Sequence, residues 1–334
     1  MGVFKPTLVF TLGDVAGIGP EVIVRSWIAV QQYCHPVIVG DLPTVAKTIK
    51  QFANHLTVQG IDQISPTWDT PENVVTCLNV PVAGLVDTPP GVISALAGRG
   101  AYDFLVRAIA ETMAGRADGI VTAPLQKEGL SQAGVDYPGH TEILAAETGT
   151  SEYAMVLYGS GIAVAHVTLH TALRNVFGEL SSSAVSEKIR LLHELLPQIV
   201  GEPARIAVAA LNPHAGDGGL FGNEEALIIQ PAVAQCQQLG INVVGPLPVD
   251  TLFVRAFRGE FNAVAAIYHD QGHIAMKLKC GWNLVNVTMG LPIVRTSVAH
   301  GTAYDIAGKG IADPSSMIHA TEIAARLASS RRIG

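Results

Sequence analysis

The chain predicts an α/β fold. Short β-branched runs alternate with stretches of helical character, and parallel strands need crossovers that are usually helical. The 34 glycines and 19 prolines punctuate those runs instead of collecting in a linker. Of 334 residues, 49% are hydrophobic and 15% charged, which excludes a disordered chain. A globule of this length buries roughly three quarters of its unfolded surface, enough for one large core or two modest domains.

Leu8–Leu12, Val37–Val39, Gly119–Thr122, Ile206–Ala209, Ala263–Tyr268 and Leu284–Val287 read as buried strands. Between them Pro20–Gln31, Leu42–Phe52, Ser94–Met113, Ser183–Val200 and Asn223–Leu239 read as helices. Pro20 and Glu21 suit a first turn, where a missing N–H costs little and an acid meets the positive helix end. Ser183, followed by Ser186 and Glu187, offers polar capping groups, and Gly240 is a stop after Leu239. Ser316 is positioned to cap Met317–Ser329, where Ile318, Ile323, Ala324 and Leu327 repeat at helical spacing. Five prolines between Ser65 and Pro90 resist regular structure, leaving a surface connection or an interface arm.

The formal charge of -7 and the lack of any Lys/Arg run remove nucleic acid as a default partner. No stretch reaches the roughly 18 to 20 apolar residues that cross a bilayer, so no membrane association is expected. Met1 to Leu12 lead into a strand without a basic and long apolar leader, and a cytoplasmic protein is expected. Cys34, Cys77, Cys236 and Cys280 form no CxxC pair and read as reduced structural thiols.

The chemistry-bearing residues follow strand ends. His170 follows the apolar run Ile162–Leu169, His214 lies in the turn Asn212–Gly219, and His269 opens His269-Asp270-Gln271-Gly272-His273. Groups at the carboxyl ends of strands can converge in an α/β crevice, and three imidazoles can hold a borderline divalent ion. Spacing alone does not establish that convergence, and separate polar core or surface histidines are the more ordinary reading. Asp270 could orient a neighbouring imidazole, and Asp217 could cap its turn.

Gly13–Glu21 joins a strand to a helix and could expose N–H groups to an anion, or be a close-packed corner. It matches neither GxGxxG nor GxxxxGK[ST]. Thr141, after Pro138-Gly139-His140, is a possible N-cap. Lys277 and Arg295 could grip phosphate or carboxylate, or serve as structural ion-pair residues.

Taken together, several ordered motifs resemble the PdxA family, named for 4-hydroxythreonine-4-phosphate dehydrogenase, over nearly the whole length. They are Gly13–Glu21, Pro138–Glu142, Asn212–Gly219, Asp250–Phe253, Tyr268–Gly272, Gly290–Pro292, Arg295–Ser297 and His300–Ala303. The resemblance implies a homodimer with a composite active site and a fold like that of isocitrate and isopropylmalate dehydrogenases. Each subunit would have two α/β domains and an inter-domain cleft. Residues 1–135 with 300–334 would form the first domain, and 136–299 the second, carrying the metal ligands and dimer interface.

By the same resemblance the metal ligands are His170, His214 and His269, one crossing the dimer interface. The substrate contacts are His140, Thr141, Lys277, Asn286 and Arg295. Asp250 is an active-site acid, and Lys277 or Asp250 would serve a proton path. The segment from His300 to Pro314 is similar to the nucleotide-binding segment of isopropylmalate dehydrogenase, which places NAD against His300, Gly301, Thr302, Tyr304 and Asp305. The metal would be zinc first, or magnesium, manganese, cobalt or nickel.

The common family pattern has proline at Val15 and Gly-Leu-Pro where this chain has Gly272-His273-Ile274. The Gly-His-Ile form is similar to a second PdxA-like clade acting on 4-phospho-D-threonate or 4-phospho-D-erythronate. The expected reaction is oxidation with decarboxylation to dihydroxyacetone phosphate. The alternatives are 4-hydroxy-L-threonine 4-phosphate dehydrogenation and, behind it, dehydrogenation of a carboxylated cis-dihydrodiol.

Overall fold

The structure is a computed structural model that describes residues 4–65 and 70–333. In chain order the strands are β1 (Thr7–Thr11), β2 (His35–Gly40), β3 (Thr57–Ile61), β4 (Val74–Asn79), β5 (Gly119–Thr122), β6 (Ala154–Gly159), β7 (Ile162–His166), β8 (Ile206–Ala209), β9 (Val243–Leu247), β10 (Ala263–Ala266), β11 (Val285–Met289) and β12 (Arg295–Val298). The α-helices are α1 (Gly19–Val30), α2 (Leu42–Phe52), α3 (Ala95–Met113), α4 (Lys127–Gln132), α5 (His140–Thr148), α6 (Val176–Glu179), α7 (Ser182–Val200), α8 (Gln230–Gln238), α9 (Val249–Phe257), α10 (His269–Cys280) and α11 (Ser315–Ile333). Chain contacts define two units. One holds the chain up to Tyr153 and from Leu291 onward, the other Ala154–Gly290.

The strands of the first unit follow the order β3-β4-β2-β1-β5-β12, all parallel. Helices α3 and α11 both pack on its central strands, so Leu8, Val9 and Phe10 are fully buried. A strand covered on both faces reads as a continuous apolar run, which is why β1 was legible. Asp41 caps α2 by accepting the Thr44 N–H at 3.0 Å, and Ser94 caps α3 through the Ala97 N–H.

In the second unit the order is β11-β6-β7-β10-β8-β9, with β6 antiparallel to both its neighbours, β11 and β7, and β7, β10, β8 and β9 parallel. Ser160 and Gly161 close the β6–β7 hairpin with φ of 50° and 77°. Two left-handed residues give a turn whose twist matches that of the strands. Helix α7 covers β7, β8 and β10 with Val185, Ile189, Leu192 and Leu196.

Several expectations move. Residues 136–153 and 291–299, expected in the second domain, belong to the first unit because α5 packs on α3 and β12 pairs with β5. Ser181, not Ser183, caps α7, since its Oγ reaches the Ala184 N–H at 3.2 Å. α11 starts at Ser315, whose N–H meets Asp313 at 2.9 Å, while Ser316 Oγ accepts from Ala299. The Ser65–Pro90 stretch carries β4, a buried strand of the first unit; Pro66 lies outside the described residues. The helix expected at Asn223–Leu239 opens as a π-helical turn, Glu225–Ile229, before α8, and Gly240 follows it at φ 79°.

No helix among the described residues is long and apolar enough to cross a membrane. All four cysteines are buried free thiols, and burial pushes Cys77 up to about 12.

Candidate active site

Strand register assembles the histidines of the second unit. Ala266 of β10 stands beside His166 of β7, and Val208 of β8 stands beside Ala265. His170, His269 and His214 therefore all issue from the carboxyl end of one sheet. His170 and His269 line one cavity of about 320 Å3 with Thr168, Tyr268 and Asp270, and their ring centroids are 6.3 Å apart. The His269 Nδ1 meets Asp270 Oδ1 at 2.7 Å. The carboxylate only accepts, so it fixes the proton on Nδ1 and leaves Nε2 as a donor atom for a cation.

Two further imidazoles support this pair from behind. His273, one turn along α10, stacks on His269 with centroids 3.7 Å apart and an interplanar angle of 10°. Its Nδ1 reaches the His269 carbonyl at 3.1 Å and His166 Nε2 at 3.2 Å. The carbonyl cannot donate, so His273 Nδ1 carries the proton and His166 Nε2 takes the acceptor role. Burial, then the neighbouring imidazoles, lowers His273 to about 4 and His166 to about 3. Both are neutral at pH 7. A Cβ at Gly272 would sit 2.3 Å from His166 Nε2, so only glycine fits there. Sequence reasoning missed His166, although its place four residues before His170 was a signal.

His214 does not line the cavity; its ring neighbour is Phe221, at 6.2 Å between centroids. It opens five consecutive left-handed residues, His214 (φ 53°), Ala215 (56°), Gly216 (79°), Asp217 (44°) and Gly218 (67°). Non-glycine residues in that region cost about 1–3 kcal/mol each and persist only where neighbours hold them. Glu225 is one such neighbour. Its buried carboxylate accepts from the Leu211 N–H at 2.9 Å, the Asn212 N–H at 2.7 Å and the Asn212 side chain at 3.0 Å. Burial would raise its pKa, but the bonds from Asn212 and Leu211 outweigh burial and hold it low. No sequence pattern announced this acid. Among the described residues, no group of three or more His, Cys, Asp or Glu side chains within the chain is arranged to hold a metal ion.

The first unit supplies a buried cationic group. Arg295 opens β12 opposite Ile120 and is 4% exposed; its Nη2 donates to Thr122 Oγ1 at 2.7 Å. Burial lowers its pKa to about 10, with the charge of Glu142 opposing. His140 begins α5, with Glu142 in the same first turn. Burial and then Arg295 push His140 well below its ordinary range, so it is neutral beside a guanidinium. Thr141 is not the N-cap expected from its sequence; the extended Gly139 precedes the helix and Thr141 lies inside its first turn.

The other expected residues stand separately. Lys277 is exposed in the last turn of α10, and its charge acts on His273 one turn earlier. Asp250 is exposed in the first turn of α9, with Oδ1 on the Thr251 N–H at 2.9 Å. Asn286 is half-buried in β11, opposite Leu157. In the 300–312 segment Thr302 and Ala307 are buried while Gly301 and Asp305 are exposed. His300 Nδ1 lies 2.9 Å from the Gly301 oxygen, and burial lowers its pKa. The Tyr304 O–H donates to the fully buried Asp14 at 2.7 Å.

Known proteins share this whole architecture. The chain is 42% identical over 339 residues to a D-threonate 4-phosphate dehydrogenase of Cupriavidus necator, covering 99% of this chain and 100% of the relative. It is 42% identical over 327 residues to a 4-hydroxythreonine-4-phosphate dehydrogenase of Geobacter metallireducens, covering 97% and 96% respectively. A crystal structure of the 4-hydroxythreonine-4-phosphate dehydrogenase of Klebsiella pneumoniae superposes with a TM-score of 0.87 at 39% identity, covering 97% of this chain and 100% of that one. Residues 32–324 match the family described as pyridoxal phosphate biosynthetic protein PdxA. With most of its length inside that match, and relatives above 40% identity from end to end, the chain belongs to the PdxA family.

Proposed function

We propose that the protein is an NAD- and divalent-metal-dependent dehydrogenase that oxidises and decarboxylates 4-phospho-D-threonate or 4-phospho-D-erythronate to dihydroxyacetone phosphate. The observation that carries this reading is the buried guanidinium of the first unit. Arg295, braced by Thr122 beside a neutral His140, suits a phosphate or carboxylate oxygen. Arg295, His140 and Thr141 bind and orient one anionic end, and Lys277 and Asn286 are further substrate contacts.

Imidazole nitrogens on His170 and His269, with Nε2 of His269 left open by Asp270, fit a borderline cation such as zinc. His214 of a second copy completes the ligand set. The exposed residues Gly301 and Asp305, backed by buried Thr302, fit the edge of a nucleotide, with His300 and Tyr304 shaping that segment. When bound, the ion supplies a Lewis acid for developing negative charge and NAD supplies the hydride acceptor.

The chain's own residues handle the protons. Lys277 or Asp250 takes the C3 hydroxyl proton as that carbon is oxidised to a 3-oxo acid. Loss of CO2 then leaves an enolate across C2 and C3. Protonation at C2 from the same pair gives dihydroxyacetone phosphate.

A second copy has a surface to meet. Ile274, Leu278 and Trp282 are 57%, 83% and 67% exposed at four-residue spacing along and just beyond α10, and Leu220 and Phe221 stand exposed near His214. An apolar stripe of this kind is a protein–protein surface in most folds. A cytoplasmic homodimer with composite sites accords with it.

Oxidation of 4-hydroxy-L-threonine 4-phosphate is the second reading, favoured by the Geobacter relative and the Klebsiella structure. The sequence Gly272-His273-Ile274 favours the threonate reading. A coupled screen reporting NADH and dihydroxyacetone phosphate, run on all three phosphorylated acids at matched metal, separates them. A far larger kcat/KM for the hydroxythreonine substrate would overturn the threonate preference.

A further inference from the structure

The turn between β1 and α1 does not hold its amides open for an anion. The Asp14 N–H donates to Pro124 O at 2.9 Å, Ala16 N–H to Asp14 Oδ1 at 2.8 Å, Gly17 N–H to Asp14 O at 3.1 Å and Ile18 N–H to Thr302 O at 3.0 Å. A Cβ at Gly17 would lie 2.7 Å from Thr302 O, so the missing side chain admits the 300–312 segment and not a ligand. Gly13–Glu21 is the close-packed corner of the two alternatives open from sequence.

The same segment is tied down along its length by the β1–α1 turn, α1 and α2. Asp14 Oδ2 accepts from the Tyr304 O–H at 2.7 Å. Glu21, 2% exposed, takes the Ala312 N–H on Oε1 at 2.8 Å and Arg25 Nη1 on the same atom at 3.1 Å. Arg25 Nη1 also donates to Ala312 O at 2.6 Å and Gly310 O at 3.1 Å, and Gln51 of α2 donates to Gly308 O at 3.1 Å. These contacts involve three charged groups, Asp14, Glu21 and Arg25, on one side and four residues of the segment, Tyr304, Gly308, Gly310 and Ala312, on the other. Burying Asp14 and Glu21 is costly unless their bonds are kept. Ordinary packing of a strand–helix corner does not require either acid.

We propose that Asp14, Glu21 and Arg25 are positioning residues for NAD: they moor residues 302–312 to the β1–α1 corner, so that the nucleotide meets an ordered segment. The inference rests on the reading that this segment takes NAD. A preordered loop binds more tightly because less freedom is lost on binding.

The test compares Arg25→Met, Arg25→Lys, Tyr304→Phe and Asp305→Ala in the intact enzyme. NAD affinity is measured by calorimetry, and hydrogen exchange is followed at the Ile18 amide and along 302–312. In Arg25→Met and Tyr304→Phe the Kd for NAD is expected to rise about tenfold, as for loss of one well-made hydrogen bond. Exchange along the segment rises with it; in Arg25→Met the KM for the phosphorylated substrate and kcat at saturating NAD stay unchanged, and Arg25→Lys recovers part of the affinity. Weaker NAD binding in Asp305→Ala alone overturns the mooring and keeps the nucleotide reading. Unchanged affinity in every variant overturns both. Lost affinity without added exchange also overturns the mooring.

Discussion

Arg295 is the residue whose surroundings say most about substrate. A buried guanidinium braced by the Thr122 hydroxyl and flanked by a neutral imidazole suits an arriving anion. Arg295→Lys keeps the charge and loses the planar fork, so kcat/KM for the phosphorylated acid should fall about 10- to 100-fold with NAD affinity unchanged. Steady-state kinetics with each substrate varied in turn checks this; an equal loss of NAD affinity contradicts it. His166 and His273 make a second residue-scale prediction for the metal-free protein. Their folded pKa values, about 3 and about 4, lie below the ordinary 6.5. The unfolded chain therefore takes up protons first on acidification, and stability is full above pH 6.5 and declines as pH falls toward 4. Urea melts between pH 7.5 and 4.5 should show that decline, and His273→Gln should flatten it. His170, His214 and His269 were legible because each follows an apolar run or opens a glycine turn. His166 was not, because a histidine inside a strand looks like any half-polar core position.

At the scale of elements, the turn after β8 needs explanation most. Three non-glycine residues held left-handed around His214 would relax to ordinary conformations without the buried carboxylate that opens the π-helical turn. Glu225→Gln loses the charge-assisted bonds to the Leu211 and Asn212 amides and should cost about 1–3 kcal/mol. Bound metal per subunit should fall more sharply than the melting temperature, because in the proposed site the loop carries a ligand and the core does not depend on it. Full metal occupancy in that variant would contradict the link. Buried strands such as β1, β5, β8 and β10 were readable as unbroken apolar runs. Edge strand β3, with pattern exposed–half–exposed–exposed–half, lacks such a run, and β4 was hidden among prolines. Helix α10 escaped notice because it opens with polar residues and leaves its apolar side, Ile274 and Leu278, facing outward.

For the whole molecule, the exposed stripe on α10 and the position of His214 lead to one expectation. In the proposed dimer a second copy both covers apolar surface and completes the ligand set. Leu278→Lys places a charge at an 83% exposed position and should leave the subunit folded, yet yield monomers by sedimentation that lose metal and NADH formation together. A dimeric, fully active variant would contradict that interface. The domain division was only partly legible, because α5 and β12 join the first unit through contacts that are distant in sequence. The decisive measurement is complementation between two inactive chains. His214→Ala and His269→Ala subunits, each inactive alone, are co-expressed and the mixed dimer is isolated through two different tags. If His214 and His269 serve one ion from opposite subunits, one of the two sites is fully native and metal-dependent NADH formation returns to about half the native rate per dimer. A mixed dimer as inactive as its parents would show that the two imidazoles do not share a site across the interface.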